Sequence, residues 1–145
     1  MSSVSSNNNV LYILTILECS EKIKIYADSF DTTNDFFTGT DQMPFNACCH
    51  LLLAIGEESK KISEGLKDNF SFVEWDRIAG IRNRIAHDYR GIDAEIVFHI
   101  IKNELSVLNE VMIKMLISTG TTRAEIEKYI QSDYYKHLKY LPERF

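Results

Sequence analysis

Apolar residues recur along this chain at the three-and-four spacing of helices, and no stretch alternates with the two-residue period of a strand. From Val10 to about Phe30 they fall at Tyr12, Ile16, Cys19, Ile23, Tyr26 and Phe30, which marks one face of a first helix. Residues 1–9, rich in Ser and Asn, read as a disordered arm. Asp31 to Gln42 is rich in Asp, Thr, Asn and Gly and reads as a loop, anchored to the core by Phe36 and Phe37. Pro44 suits the first turn of a second helix. That helix runs to about Glu64 with Cys48, Leu52, Ile55, Ser59 and Ile62 on one face. Gly56 in its middle costs about 1 kcal/mol relative to Ala, a cost that close contact with a neighbouring helix would offset.

Gly65 to Asn69 reads as a turn. Ser71-Phe72-Val73-Glu74 has the form of a capping box, so a third helix should start near Phe72 and turn Trp75, Ile78, Ile81 and Ile85 inward. Asp93 can cap a fourth helix from Ala94 to about Ser118. Its seam is Ile101, Leu105, Leu108, Met112 and Met115, widened by Ile100, Val107 and Val111. Thr119-Gly120 stops it, and Thr122 with Glu125 forms a second capping box for a short fifth helix to about Ser132. These elements predict an all-α, up-and-down bundle of about five helices.

Length and composition narrow the class. The chain has 145 residues, enough for one domain with a real core. A formal net charge of −5 argues against broad nucleic-acid binding by the whole surface. The charge is uneven, however, with four arginines between Arg77 and Arg90. A positive patch on an acidic molecule suits contact with a few phosphates. Cys19, Cys48 and Cys49 form no C-x-x-C pair and read as buried, reduced thiols. Val10 to Leu17 is too short for a membrane span and lacks a basic lead-in, so a cytoplasmic protein without membrane association is expected. His50 and His99 read as ordinary helix residues, and no metal-spaced cluster or cofactor motif occurs. The end of the chain, from Asp133 to Phe145, interleaves Tyr with Lys and His. Packing of its tyrosines on the bundle is the simpler reading, and RNA contact is the other.

The candidate chemistry lies in Trp75 to Tyr89 and centres on Arg82-Asn83-Arg84-Ile85-Ala86-His87-Asp88-Tyr89, of the form R-N-x-x-x-H-x-Y. Arginine can grip a phosphate through two hydrogen bonds, and histidine is suited to move protons near neutral pH. On a straight helix Tyr89 would return to nearly the face of Arg82, while His87 would lie roughly 140° round and ~7.5 Å along the axis. Arg82 and His87 could flank one cleft if the helix ends or bends near His87, where Gly91 allows an end, or if a second copy completes the cleft. The same residues also describe an exposed helix end with solvated charges.

The segment resembles the signature of HEPN-superfamily ribonucleases: an Arg, a polar residue after it, and a His a few positions on, here Arg82, Asn83 and His87. Tyr89 makes it similar to the HepT-like branch, toxins of toxin–antitoxin pairs. Ala54-Ile55-Gly56-Glu57-Glu58 resembles that family's Ile-Gly-Glu segment, Trp75 to Gly80 its Trp-x-x-Ile-x-Gly lead-in, and Gly91-Ile92-Asp93 the residues after its Tyr. The resemblance covers about Val10 to Ile117, which divides the chain into an arm (1–9), a HEPN domain (10–117) and a C-terminal helical extension (118–145). It implies a homodimer that cleaves RNA without metal or cofactor. In that scheme His87 is general acid or base, Arg82 holds the phosphate and Asn83 orients the phosphate or the His. It further implies a cognate nucleotidyltransferase antitoxin that adds AMP to Tyr89. HEPN-like bundles also serve as non-catalytic partners of nucleotidyltransferases or as dimerisation modules, and the sequence leaves that alternative open.

Overall fold

Helix α1 runs from Ser2 to Ala27 and is enclosed rather than one-sided. Ile13, Leu14, Ile16, Leu17, Glu18, Cys19 and Ser20 are all buried, so nearly the whole circumference of two turns lies inside the molecule. The computed structural model describes residues 2–86 and 91–145, with side chains in α1 from residue 8 onward. The helix starts well before Val10, and Asn9, expected in a loose arm, is buried. Its amide donates to Ser63 Oγ and its Oδ1 accepts from the Ser63 N–H, both at 3.0 Å. These bonds tie α1 to the junction after α3.

The segment 31–42 holds more structure than a loop. Thr32 caps a short helix α2 (Thr33–Thr38), which buries Phe36 among Phe30, Phe45 and Phe98. Thr40, Asp41 and Gln42 then form a left-handed turn before α3 (Met43–Lys61), with Pro44 in the first turn of that helix. Helix α3 packs along α1 through Cys48, Leu52, Ile55 and Ser59. Its C-terminus passes to Ser63, whose side chain caps α4 (Glu64–Asp68), a helical turn where a plain turn was expected.

The Ser71 capping box is not used. Residues 69–74 make a turn, and α5 (Trp75–Ala79) begins at Trp75. The indole Nε1–H donates to Phe70 O at 3.2 Å, and Lys67 lies over the ring at 5.5 Å. These contacts set the start of α5, and Phe72 is left 72% exposed. Gly80 then breaks the third helix, and α6 (Ile81–Ile85) continues in a new direction.

The fourth helix is continuous from Ala94 to Ser118 but not uniform. It comprises α7 (Ala94–His99), a π turn (Ile100–Glu104) and α8 (Leu105–Ser118). Val97, Ile101, Leu105, Asn109 and Ile113 are all buried. A row of four-residue steps drifts about 40° per step on an ideal helix, and the wider π turn takes up part of that drift. The predicted seam holds except that Val107 is 64% exposed. Asn109 and Ser20 are buried with side-chain atoms that meet no hydrogen-bond partner among the described residues.

Thr122 and Glu125 form a complete capping box for α9 (Arg123–Tyr129). In the C-terminal segment Leu138 and Leu141, fully buried, carry the packing, whereas Tyr134 is 81% exposed. Glu18 of α1 is buried and accepts from the backbone N–H of His137 at 2.8 Å and from its Nδ1 at 2.6 Å. The three cysteines are buried and unpaired, and burial pushes their thiols up to about 11 at Cys19 and Cys49 and about 12 at Cys48. Among the described residues no helix is long and apolar enough to cross a membrane.

The break at Gly80 rests on Gly56 of α3. A Cβ at Gly56 would lie 2.8 Å from Ile81 Cγ2 and 3.1 Å from the Ile78 carbonyl oxygen. The missing side chain therefore lets the α5–α6 junction approach α3 at backbone distance. Gly56→Ala should lower the thermal midpoint: overpacking costs ~1–3 kcal/mol, more than the ~1 kcal/mol recovered from helix propensity. A melting curve monitored by circular dichroism checks this, and a raised midpoint would show that the contact yields freely.

Candidate active site

Helix α6 carries the first half of the R-N-x-x-x-H-x-Y motif. Ile81 and Ile85 are buried, one turn apart on the face toward α3 and α7. Arg82 and Asn83 are exposed on the other side. Gly80 serves both helices: its N–H donates to Asp76 O at 2.9 Å, and its carbonyl accepts from Asn83 N at 2.9 Å. The periodic placement of Ile78, Ile81 and Ile85 thus reaches the core as predicted, but through two short helices rather than one.

The helix stops at Ile85. Ala86 donates its N–H to Arg82 O at 3.0 Å and is itself extended, with φ −73° and ψ 138°. Ala86 pairs in an antiparallel bridge with Ile92, and Asp93 N–H donates to Ile85 O at 2.7 Å. Asp93 works in two directions, since its carboxylate also accepts from Ile96 N and caps α7. The two chain ends that flank residues 87–90 are therefore fixed side by side on the bundle. The predicted end of the helix near His87 is present, two residues earlier. The helical register that would bring Tyr89 over Arg82 runs into residues outside the described ones, and the described helix ends at Ile85. Gly91 does not cap α6; it takes φ +100° where the chain re-enters at Ile92, a value that favours glycine. His87 and Tyr89 lie outside the described residues, so the structure places Arg82 and Asn83 of the expected site and not the other two.

Beside the motif is a cluster that the sequence pattern does not reveal. Arg84 makes a two-pronged contact with Glu104: Nη1 to Oε1 at 3.0 Å and Nη2 to Oε2 at 2.9 Å. Arg77 Nη2 and His99 Nε2 each approach Glu104 Oε2 at 3.7 Å. Asn103 Nδ2 lies 3.1 Å from His99 Nδ1 and donates to the His99 carbonyl oxygen at 3.1 Å, which holds the ring with Nε2 toward Glu104. Hydrogen bonds from Arg84 hold the Glu104 carboxyl below the usual carboxylate range; partial burial opposes this, and the charges of Arg84, Arg77 and His99 add to it. With the folded value depressed, the stabilisation is present at neutral pH and is lost as the pH falls through that lowered value.

This cluster closes the polar end of a groove of about 510 Å³ whose walls include Ile55, Ile78, Ile81, Leu105 and Leu108, with Phe72 and Val107 also lining it. Among the described residues no group of His, Cys, Asp or Glu side chains could hold a metal ion. His99 reads as structural in the sequence, and Glu104 falls inside an apolar seam. The one available signal is the run of four-residue steps through Val97, Ile101 and Leu105, which a uniform α-helix cannot keep on one face.

The chain is similar to several known proteins. A relative in Methanocaldococcus jannaschii, named a gamma-glutamylcyclotransferase and putative RNase, is 26% identical over 106 residues, covering 73% of this chain and 46% of its own. A second protein of that organism, named a putative RNase, is 28% identical over 88 residues, covering 54% of this chain and 81% of its own. A putative RNase of Caldanaerobacter subterraneus is 32% identical over 56 residues, covering 39% of this chain and 50% of its own. The chain thus spans less than half of the first of these relatives. No solved structure matches. The family model described as "Ribonuclease HepT-like" matches residues 16–115 and so takes in the groove, the π turn and the whole motif. This chain belongs to the HepT-like family of HEPN ribonucleases.

Proposed function

We propose that this chain is a toxin that cleaves RNA without a metal, using Arg82, Asn83 and His87, and that it is silenced by AMP addition at Tyr89. The observation that carries the reading is the short helix α6. It turns Arg82 and Asn83 outward on a seat fixed by Ile81 and Ile85, and it ends at an extended Ala86 directly before His87. The similarity to proteins named as putative RNases supports the same class of reaction.

In this mechanism the ribose 2′-hydroxyl of the substrate attacks the adjacent phosphorus and the bond to the 5′ oxygen breaks. The products are a 2′,3′-cyclic phosphate and a free 5′-hydroxyl. His87 takes the proton from the attacking hydroxyl or gives one to the leaving oxygen. Arg82 holds the non-bridging oxygens and stabilises the charge that develops on them. Asn83 orients the phosphate or the His. The nucleophile belongs to the substrate, so no metal-activated water is required, and DNA, which lacks the 2′-hydroxyl, does not react. Two copies of the chain pair so that their motifs line a shared cleft. A nucleotidyltransferase antitoxin attaches AMP to Tyr89, which sets negative charge and bulk beside the motif and excludes the substrate.

One observation favours the non-catalytic alternative. Arg77 and Arg84 are engaged by Glu104, so part of the basic stretch is neutralised within the fold. Expression of the chain alone separates the readings, since growth arrest requires activity. In purified protein, His87→Ala should lower RNA cleavage by about 10²–10⁴-fold with helical content unchanged. Arg82→Ala should act similarly and Arg82→Lys should rescue poorly, because Lys lacks the planar fork. Cleavage should persist in EDTA. Undiminished cleavage by His87→Ala would end the proposal.

Light scattering at micromolar concentration should give twice the monomer mass of 16.8 kDa. A monomer would require each site to be built from one chain.

Incubation with the antitoxin and ATP should raise the intact mass by one or more AMP units on Tyr89. Tyr89→Phe should remain toxic and escape silencing. A Tyr89→Phe variant that the antitoxin still neutralises would mean that inhibition works by binding alone.

A further inference from the structure

We infer that Glu104 is a positioning residue for the motif. It captures Arg84 and Arg77 so that α6 is held in one orientation and Arg82 is the arginine presented to the phosphate. The inference rests on the ribonuclease reading and names a residue outside the motif on which that site depends.

The geometry behind it has three parts. First, α6 is only five residues long and has no side-chain cap at its N-terminus, so its direction is set by lateral contacts. Ile81 and Ile85 fix one side, and the Arg84–Glu104 pair fixes another. Arg82 and Arg84 are two residues apart, about 200° round a helix. An arginine tied toward the π turn thus sends the other away from it.

Second, Glu104 reaches this position because of the π turn. In a uniform helix, residues five apart, such as His99 and Glu104, stand about 140° from each other. The wider turn, closed by Leu105 N–H to Ile100 O, brings both to the same side, where Nε2 and Oε2 are 3.7 Å apart. π turns inside α-helices occur frequently at functional sites, and this one supplies the single carboxylate that three cationic or ionisable side chains share.

Third, the charges need sorting. Without Glu104, Arg84 would be a further guanidinium on α6 with no described ion-pair partner, able to swing toward a phosphate in an unproductive register, while Arg77 would keep its 3.6 Å contact with Glu74. With it, Arg84 is occupied by paired hydrogen bonds at partly buried positions, and Arg77 is shared between Glu104 at 3.7 Å and Glu74 at 3.6 Å. The pair is partly shielded from solvent, with side chains 22% and 32% exposed, so salt screens it less than a surface ion pair.

The test uses the full-length protein and a single-stranded RNA oligonucleotide. Glu104→Gln should lower kcat by about ten- to a hundredfold through misplacement of the motif, while KM stays level or falls because cations are released. The salt dependence of RNA affinity should steepen by about 0.7 for each guanidinium freed to contact a phosphate. The double variant Arg84→Gln with Glu104→Gln should return most of that slope toward the wild type. Glu104→Asp keeps the charge but not the reach, so it should lower kcat with the slope unchanged. It also stands in as the test should Glu104→Gln fail to fold. A merely structural role would lower the melting temperature and leave kcat per folded molecule and the salt slope as in the wild type. That result, from either variant, overturns the inference alone. A wild type that does not cleave RNA overturns the ribonuclease reading and this role with it.

Discussion

The close approach of α3 to the α5–α6 junction governs where the motif stands. Close helix contact usually runs through side chains at 8–10 Å between axes, but here Gly56 removes the side chain that would hold the partner off. The Ile78 carbonyl and the Ile81 methyl fill that space, so the direction change at Gly80 is seated against backbone rather than suspended over a groove. Everything downstream inherits the seat: the outward face of α6, the pairing of Arg84 with the fourth helix, and the return of the chain through Ile92 to Asp93. A helix of five residues gains little from its own hydrogen bonds, and tertiary contacts of this kind give it a defined orientation.

What could be read from the sequence was what local chemistry decides. Asp93 and Thr122 cap the helices that they were expected to cap, Pro44 sits in a first turn, and Phe36 anchors its segment. The value of Gly56 was also legible, because a glycine mid-helix is costly unless something needs the room. Where tertiary contacts compete, the local signal misled. Ser71 offers a good cap, yet the contacts of Trp75 with Phe70 and Lys67 start the helix three residues later than expected, at Trp75. Arg82 and Asn83 are exposed, as both a catalytic site and a solvated helix end would have them, but Glu104 and His99 stayed invisible. Their meeting requires a π turn, which a count based on 3.6 residues per turn places on different faces.

The charge pattern changes meaning once partners are known. Four arginines in fourteen residues suggested a basic patch, but Arg77 and Arg84 converge on a single carboxylate. Of the four, Arg82 is exposed on α6 and Arg90 lies outside the described residues. Salt screens the field of exposed charges beyond a Debye length of about 8–10 Å, so a pair of arginines held on one partly buried carboxylate adds little to the field outside.

The C-terminal segment gives the molecule different edges by ancestry and by mechanics. The family match ends at residue 115, yet Ile126, Ile130, Leu138 and Leu141 are buried in the same core as the residues before it. His137 contacts both oxygens of the buried Glu18. Domains unfold cooperatively where burial is shared, so tail and bundle form one melting unit. A protease that nicks the chain near Gly120 would leave a noncovalent complex of two fragments rather than a trimmed domain, with α1 keeping hold of the piece that had been cut away.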